Sequence, residues 1–350
     1  MSSIDATVGT SRGSAVSDRA LRTLAGLLGV ALLLIVAVAL SLMVGSNSIA
    51  PGAVLDVLRG GGSAEARDVV MELRIPRTAV GLVVGAALGA AGALIQAFTR
   101  NPLADPGILG VNAGAAFAVA VGVAFFGLRS ILTSVWLALL GALVVTLAVY
   151  VIGSSGRGSA DPVRLTLAGV ALGAVFAGMT TGMTLSNPDA FEHMRSWNAG
   201  SLVGRGLDVL VPILPLVAVA LLAAFVLATG LNALALGEDV ARAQGANVIA
   251  IRIGVIASVT VLAGTATALA GPIAFVGLMV PHVARWLFGV DQRRILAASV
   301  VVAPVLVLFS DVLGRVLISP AEIPVGIVTA FVGAPVLILL VRRQRASTLS

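Results

Sequence analysis

From Thr78 to Phe98, 21 consecutive residues carry no charge. As a helix rising about 1.5 Å per residue, such a run spans roughly 30 Å, the thickness of one hydrocarbon core. Within it Gly81, Gly85 and Gly89 recur every fourth residue. They leave one helix face without side chains, so a second backbone can pack closely, the kind of contact that drives helix association in lipid. The run stops at Asn101-Pro102-Leu103-Ala104-Asp105-Pro106-Gly107. Two prolines remove backbone donors and fix dihedrals there, which predicts a shaped turn and not a slack linker.

Similar apolar stretches lie near 24–44, 111–128, 131–152, 165–185, 209–236, 253–269, 273–288, 295–313 and 323–341. Only 11% of the chain is charged, against about 25% in soluble domains. The fold class is therefore all-α, a polytopic membrane protein with about ten transmembrane helices. The single transmembrane domain is expected over 24–341, between a disordered cytoplasmic tail at 1–23 and a short cytoplasmic tail at 342–350. The first apolar run is too long for a signal-peptide core and reads as a retained helix. Gly271-Pro272 makes the boundary between the seventh and eighth helices the least defined.

All 22 basic residues are arginine. A Walker A loop needs a lysine on the phosphates, so the chain has no ordinary P-loop ATPase site. With no cysteine and only His193 and His282, no metal site of its own is expected. The arginines sit at helix ends without interleaved aromatics, which argues against nucleic acid. Placing both termini inside leaves fourteen arginines inside and eight outside, as positive charge prefers. The outer eight, among them Arg74, Arg77 and Arg315, run against that rule; snorkelling to headgroups is one explanation.

Outside the spans, Pro51–Arg59 reads as a short surface helix followed by a glycine loop. His193 is expected to be a solvated loop residue and Trp197 an interfacial anchor. On the inner side Gly237, Glu238, Asp239, Ala241, Arg242 and Gly245 belong to a short helical patch bracketed by glycines. Its acidic start and basic end suit the helix dipole, and Gly245 suits a left-handed cap. Two turns are not stable alone, so a packing partner is expected.

Several stretches together resemble the FecCD family, the permeases of ATP-binding cassette importers for iron-siderophores, haem and vitamin B12. They are Arg74-Ile75-Pro76-Arg77, Asn101 to Gly110 (NPLADPGILG), Leu167 to Gly173 (LAGVALG), Leu236-Gly237-Glu238 to Gly245, Gly277 to His282 (GLMVPH), and Glu322 to Thr329 (EIPVGIVT) with Gly333-Ala334-Pro335. The resemblance implies a type II importer fold in a bacterial cytoplasmic membrane. Its expected partners are a second permease subunit, identical or homologous, two ATPase subunits, an extracytoplasmic substrate-binding protein, and membrane lipid. It further implies that this chain is not an enzyme and binds no cofactor, with ATP and Mg on the partner ATPase. Residues 237–245 would be the ATPase-coupling helices, and Arg74, Arg77 and Arg315 would dock acidic residues of the binding protein. Asp311, one turn before Arg315, would either hold that side chain or form a simple surface pair. The cytoplasmic gate of the family would fall at Pro162 and Val163, where its Thr-Ser pair is missing.

Met179, Thr180, Thr181, Met183 and Thr184 on the fifth helix are candidates for the translocation pathway, since they offer an adaptable, weakly polar wall; ordinary packing is the alternative for each. The expected cargo is a ferric siderophore, with haem or cobalamin as alternatives within the family. An ion-coupled secondary carrier is the rival mechanism. It normally places carboxylates at mid-membrane, and only Asp311 falls within a span here, close to an end.

Overall fold

The computed structural model describes residues 11–46, 49–155 and 162–347, with side chains over 26–46, 49–155 and 162–339. The described residues contain no strand, and ten of their helices build the bundle. These are α1 (Ser11–Met43), α2 (Ile75–Thr99), α3 (Val111–Phe126), α4 (Ile131–Ser154), α5 (Pro162–Ser186), α6 (Leu214–Ala235), α7 (Val248–Ala270), α8 (Val276–Phe288), α9 (Gln292–Leu317) and α10 (Val325–Ser347). All ten coincide with the apolar runs read from the sequence. Seven helical stretches are long and apolar enough to cross a membrane, and three shorter apolar helices accompany them at 111–126, 276–288 and 325–339. The chain is an integral membrane protein.

The stretch carrying α2 is the centre of the bundle. It is 78% buried, against 17% for the apolar windows of α1 and α5. Its glycine face is filled by α9: a Cβ on Gly85 would lie 2.5 Å from the Cα of Pro304, and one on Gly89 would lie 2.3 Å from the carbonyl oxygen of Ser299. A second close crossing joins α3 and α4, where a Cβ on Gly114 would meet the Gly141 oxygen at 2.4 Å. Both crossings put backbone against backbone, so their attraction comes from dispersion and close packing.

Two helices, α3 (16 residues) and α8 (13 residues), are too short to cross alone, and irregular segments lead into them. After α2, residues 101–110 fold back into the protein. Asn101 Oδ1 accepts from Leu103 N (2.9 Å), Asp105 Oδ1 accepts from Gly107 N (2.8 Å), and a 3₁₀ turn covers Pro106–Leu109. The Leu109 carbonyl accepts from Thr146 Oγ1, and α4 continues for eight more residues. That is about 12 Å of helix, so α3 starts well inside the bundle. Between α7 and α8 the chain breaks over Gly271–Phe275, as Gly271-Pro272 suggested. Non-helical backbone at this depth survives only where protein and not lipid surrounds it.

The helix ends depart from expectation. α1 begins at Ser11, inside the stretch expected to be disordered, and α10 runs to Ser347, through most of the expected C-terminal tail; residues 1–10 and 348–350 lie outside the described residues. Hydropathy marks where lipid begins, whereas a helix already nucleated by its apolar part continues into polar residues at little further cost. Upstream of α2, a helix over Ala64–Asp68 and a π turn over Val69–Arg74 extend it without a break, beyond the expected glycine loop. The short helix expected at Pro51–Arg59 is present over Pro51–Leu58.

Gly85→Ala should destabilise the protein by about 1–3 kcal/mol, because backbone must move to admit the methyl. Gly178→Ala, where a Cβ meets nothing within 4 Å, should be within about 0.5 kcal/mol of the native chain. Thermal unfolding of both variants in the same detergent checks this.

Candidate functional site

Where α1 ends, α2 begins and α9 ends, three arginines and two carboxylates form one network. Arg77 grips Asp311 through Nε (3.0 and 3.1 Å) and Nη2 (2.7 Å), and its Nη1 donates to Glu322 Oε2 (2.7 Å). Arg315, one turn beyond Asp311, donates to the same carboxylate through Nε (3.0 Å) and Nη2. Arg315 Nη1 also reaches the carbonyls of Ser41 (2.7 Å) and Val44 (2.8 Å), and Arg74 Nη1 reaches those of Leu42 (2.8 Å) and Met43 (2.9 Å). These are the last carbonyls of α1, which have no partner within the helix, so two cations satisfy its negative end. Ser41 Oγ and Thr78 Oγ1 (2.8 Å) join the two helices beneath.

This arrangement alters the role first given to the three arginines. The side chains of Asp311 and Arg315 are each 1% exposed, and that of Arg77 13%. Asp311 is therefore the buried clamp on Arg315 and not a surface pair, and the modest energies of exposed ion pairs do not apply. Ser46 Oγ donates to Glu322 Oε1 (2.7 Å). Burial would push the Glu322 carboxyl up, but the Ser46 hydrogen bond and Arg77 outweigh it and hold it below the ordinary glutamate value. A small cavity of about 80 Å³ remains beside Ser46, Leu73, Arg74, Arg77, Arg315 and Glu322. The family resemblance picked these three out of the eight arginines that ran against the charge rule. Sequence reasoning missed Glu322, whose only signal was its place in the EIPVG motif, and Ser46.

At the opposite end of the bundle, Glu238–Ala243 is a six-residue helix between Gly237 (φ +115°) and Gly245 (φ +81°). The expected packing partner is the start of α7. Arg252, only 7% exposed, pairs with Glu238, and Ala241 is fully buried. Arg242 makes longer contacts to Glu238 (3.3 Å) and Asp239 (3.6 Å). Asp239 is fully exposed and Val240 is 42% exposed, so the helix fixes Glu238 and Ala241 inward and presents Asp239, Val240 and Arg242 outward.

The five candidates on α5 do not share one face. Met179 and Thr181 point away from the bundle, Thr180 and Met183 pack into it, and Thr184 is half-buried. The threonine hydroxyls donate to carbonyls of their own helix, those of Phe176 (2.8 Å), Ala177 (2.9 Å) and Thr181 (2.9 Å). They therefore offer methyl groups more than hydroxyls. Pro162 and Val163 open α5, Val163 being 63% exposed, and the preceding residues 156–161 lie outside the described residues. A cavity of about 560 Å³ lies instead between the two helix breaks, with Asp105, Asn112, Asn198, Phe275 and Phe331 in its wall. Thr267 Oγ1 donates to Asn112 Oδ1 (2.8 Å). The carboxylate count of the spans missed Asp105, because residues 101–110 read as a loop outside the membrane. His282 is buried in α8 with its ring edge-on to Trp286, centroids 5.2 Å apart.

A ten-helix bundle broken at mid-depth, with a glycine-bracketed helix at one end and an arginine cluster at the other, has the architecture of a type II importer permease. Residues 33–343 match the FecCD transport family, and the chain belongs to that family. It is 50% identical over 316 residues to the ferric enterobactin transport system permease protein FepD of Escherichia coli (strain K12), covering 90% of this chain and 94% of that one. It is 39% identical over 278 residues to the iron(3+)-hydroxamate import system permease protein FhuB of Bacillus subtilis (strain 168), covering 79% and 72%. Among solved structures, an inward-facing metal-chelate type ABC transporter superposes with a TM-score of 0.80 at 28% identity, covering 91% of this chain and 98% of that chain.

Arg315→Ala should destabilise the protein by about 3–5 kcal/mol, because it leaves Asp311 buried with half its partners. The same change at exposed Arg67 should fall within about 0.5 kcal/mol of native. Glu322 titrates with the opposite sign to a histidine. Its depressed carboxyl favours the folded state above the ordinary glutamate value of 4.5, and that contribution is lost as pH falls through its own lower value. The unfolding midpoint of the native chain should therefore approach that of Glu322→Gln as pH is lowered past this range. A gap that stays constant with pH would exclude this role.

Proposed function

We propose that this chain is the membrane permease subunit of an ATP-binding cassette importer for ferric siderophores. The observation that carries the reading is the match to an enterobactin permease, half identical over nearly its entire length. A permease of this kind breaks no bonds. It converts nucleotide-driven closure of two partner ATPases, which hold the ATP and Mg, into a change of access between the two membrane faces. The absence of lysine from a 350-residue chain agrees with a motor on separate subunits. In this reading the chain sits in a bacterial cytoplasmic membrane with both termini inside, and receives its cargo from an extracytoplasmic binding protein.

The coupling surface is the outward face of the Glu238–Ala243 helix. Glu238 and Ala241 anchor it through Arg252 and the core, and Asp239, Val240 and Arg242 meet the ATPase. The binding protein docks over the outer cluster. Arg74, Arg77 and Arg315 already serve their own chain, so the remaining space beside them takes at most one acidic side chain, and the pairing orients the complex more than it binds it. The exposed face of α5, where Cβ atoms on Gly178 and Gly182 meet nothing within 4 Å, is the side on which a second permease subunit packs. The cavity walled by Asp105, Asn112 and Phe275 belongs to the pathway, together with Met179 and Thr181 from α5 and the gate at Pro162 and Val163.

Uptake of radiolabelled ferric chelates, haem and cobalamin, measured in cells co-expressing the genomic partner subunits, tests the cargo. Ferric siderophore uptake that requires this chain is the expected result; uptake of haem or cobalamin alone would replace the cargo assignment. Asp239→Arg should lower transport at least about tenfold while the protein stays inserted, because it reverses an exposed charge at a contact surface without touching the Glu238–Arg252 anchor. Normal uptake by this variant would remove the coupling assignment. Transport that persists without the ATPases and collapses with the proton gradient would favour an ion-coupled carrier.

A further inference from the structure

A second outer cavity, of about 400 Å³, lies between the start of α4, the helix Pro188–Asn198 and the turn that follows it. Arg129, Ser134, His193, Trp197, Ser201 and Arg205 supply its polar wall, and no carboxylate lines it. Arg129 is paired with Asp189 at 2.5 Å. Arg205 has no carboxylate partner among the described residues. Its Nε is buried without an acceptor, and so is Nε1 of Trp197, a residue only 5% exposed. His193 Nε2 lies 3.4 Å from Ser134 Oγ at the same wall. Neither His193 nor Trp197 thus has the role expected of it. The histidine is half-buried against a cavity, and the tryptophan is enclosed where an interfacial anchor would meet headgroups.

Buried donors without acceptors are disfavoured unless something supplies the acceptor. Two such donors, one on a guanidinium, belong to residues in the wall of a space of the size that holds small ligands. The surrounding hydroxyls can donate as well, and the charges facing the space are both positive. We propose that this cavity is an oxyanion site, taking a carboxylate or phosphate group with Arg205 as its charge partner and the Trp197 indole N–H as a second donor. The chemistry is the same whether the group belongs to a small organic acid or to a lipid headgroup, and it does not depend on the importer reading. His193 adds to it. Burial first, then Arg205 and Arg129, lower the imidazole pKa below its ordinary value. Arrival of an anion opposes that shift, so protonation and binding favour each other.

The test uses the full chain in maltoside micelles, with sulfate and citrate titrated at constant ionic strength and phosphatidylglycerol added in a separate arm. Calorimetry should show saturable binding of at least one probe, weakened at least about tenfold by Arg205→Gln, which removes a charge-assisted hydrogen bond. Trp197→Phe should weaken it less, and Arg67→Gln not at all. Sulfate keeps its charge across the range, so its affinity should rise from about pH 8 to about pH 5.5 in the native chain and stay flat in His193→Gln. Binding of phosphatidylglycerol alone, lost in Arg205→Gln, identifies the group as a lipid phosphate. If Arg205→Gln does not fold, Trp197→Phe and His193→Gln decide. Absence of saturable binding by all three probes, or equal binding by folded variants, overturns the site.

Discussion

The end of the bundle where α1 stops and α2 starts depends on the carboxylate of Asp311. In a low-dielectric setting a lone carboxylate or guanidinium is costly, and a buried pair persists only when its remaining hydrogen-bonding capacity is met. Here it is met by two arginines from different helices, whose remaining donors reach Glu322 and the last carbonyls of α1. That last contact matters most for α1. Little of its apolar surface is buried, so packing alone holds it weakly. Arg315 and Arg74 fasten it to α9 and to the lead-in of α2 through backbone oxygens that every residue possesses. Gly45 shows how tight the fit is: a Cβ there would lie 2.7 Å from Arg74 Nη2.

Much of the fold was legible because hydropathy is a local property, and all ten helices lay where apolar runs predicted them. The glycine brackets of the inner helix were legible too, since a left-handed φ favours glycine whatever surrounds it. Pairing was not. Arg77 and Asp311 are 234 residues apart, and nothing in the spacing along the chain assigns one to the other. Arg252 and Glu238 are only 14 apart, yet they join across a turn whose path the sequence does not specify. The re-entrant course of residues 101–110 was hidden for the opposite reason. Its prolines and polar residues carry the composition of a surface loop, and only the surrounding protein makes that composition tolerable at depth.

Small residues on helices illustrate the same limit. On α2, Gly85 and Gly89 are pressed against the backbone of α9 until no methyl fits, and Gly81 faces the Leu308 side chain. On α5, Gly178 and Gly182 share the four-residue spacing and face open space. The local pattern is identical, and the difference lies wholly in whether another part of the chain occupies the groove. In lipid, where apolar side chains gain little by leaving the bilayer, a groove of glycines is a place for a backbone to approach. A face of that kind left unfilled within one chain is where the proposed second subunit would pack.

The middle of the molecule depends on interrupted helices. Ser201 N donates to the Ala270 carbonyl (2.7 Å), Gly326 N to that of Gly200 (3.0 Å), and Gln96 Nε2 to that of Leu278 (2.9 Å). The Ala270 carbonyl at the end of α7 and the Leu278 carbonyl near the start of α8 are thus met by neighbouring segments. The chain also accepts strain there. Phe275 has φ +69°, a left-handed conformation that costs a bulky residue about 1–2 kcal/mol. Gly333 makes room for it, because a Cβ on Gly333 would lie 2.4 Å from that of Phe275. Straight, continuous helices would close-pack through this region as protein interiors do. Stopping two of them halfway, with polar residues from the intervening segments in the wall, is what leaves a cavity of about 560 Å³ with a carboxylate and two amides at a depth where lipid alone would tolerate none.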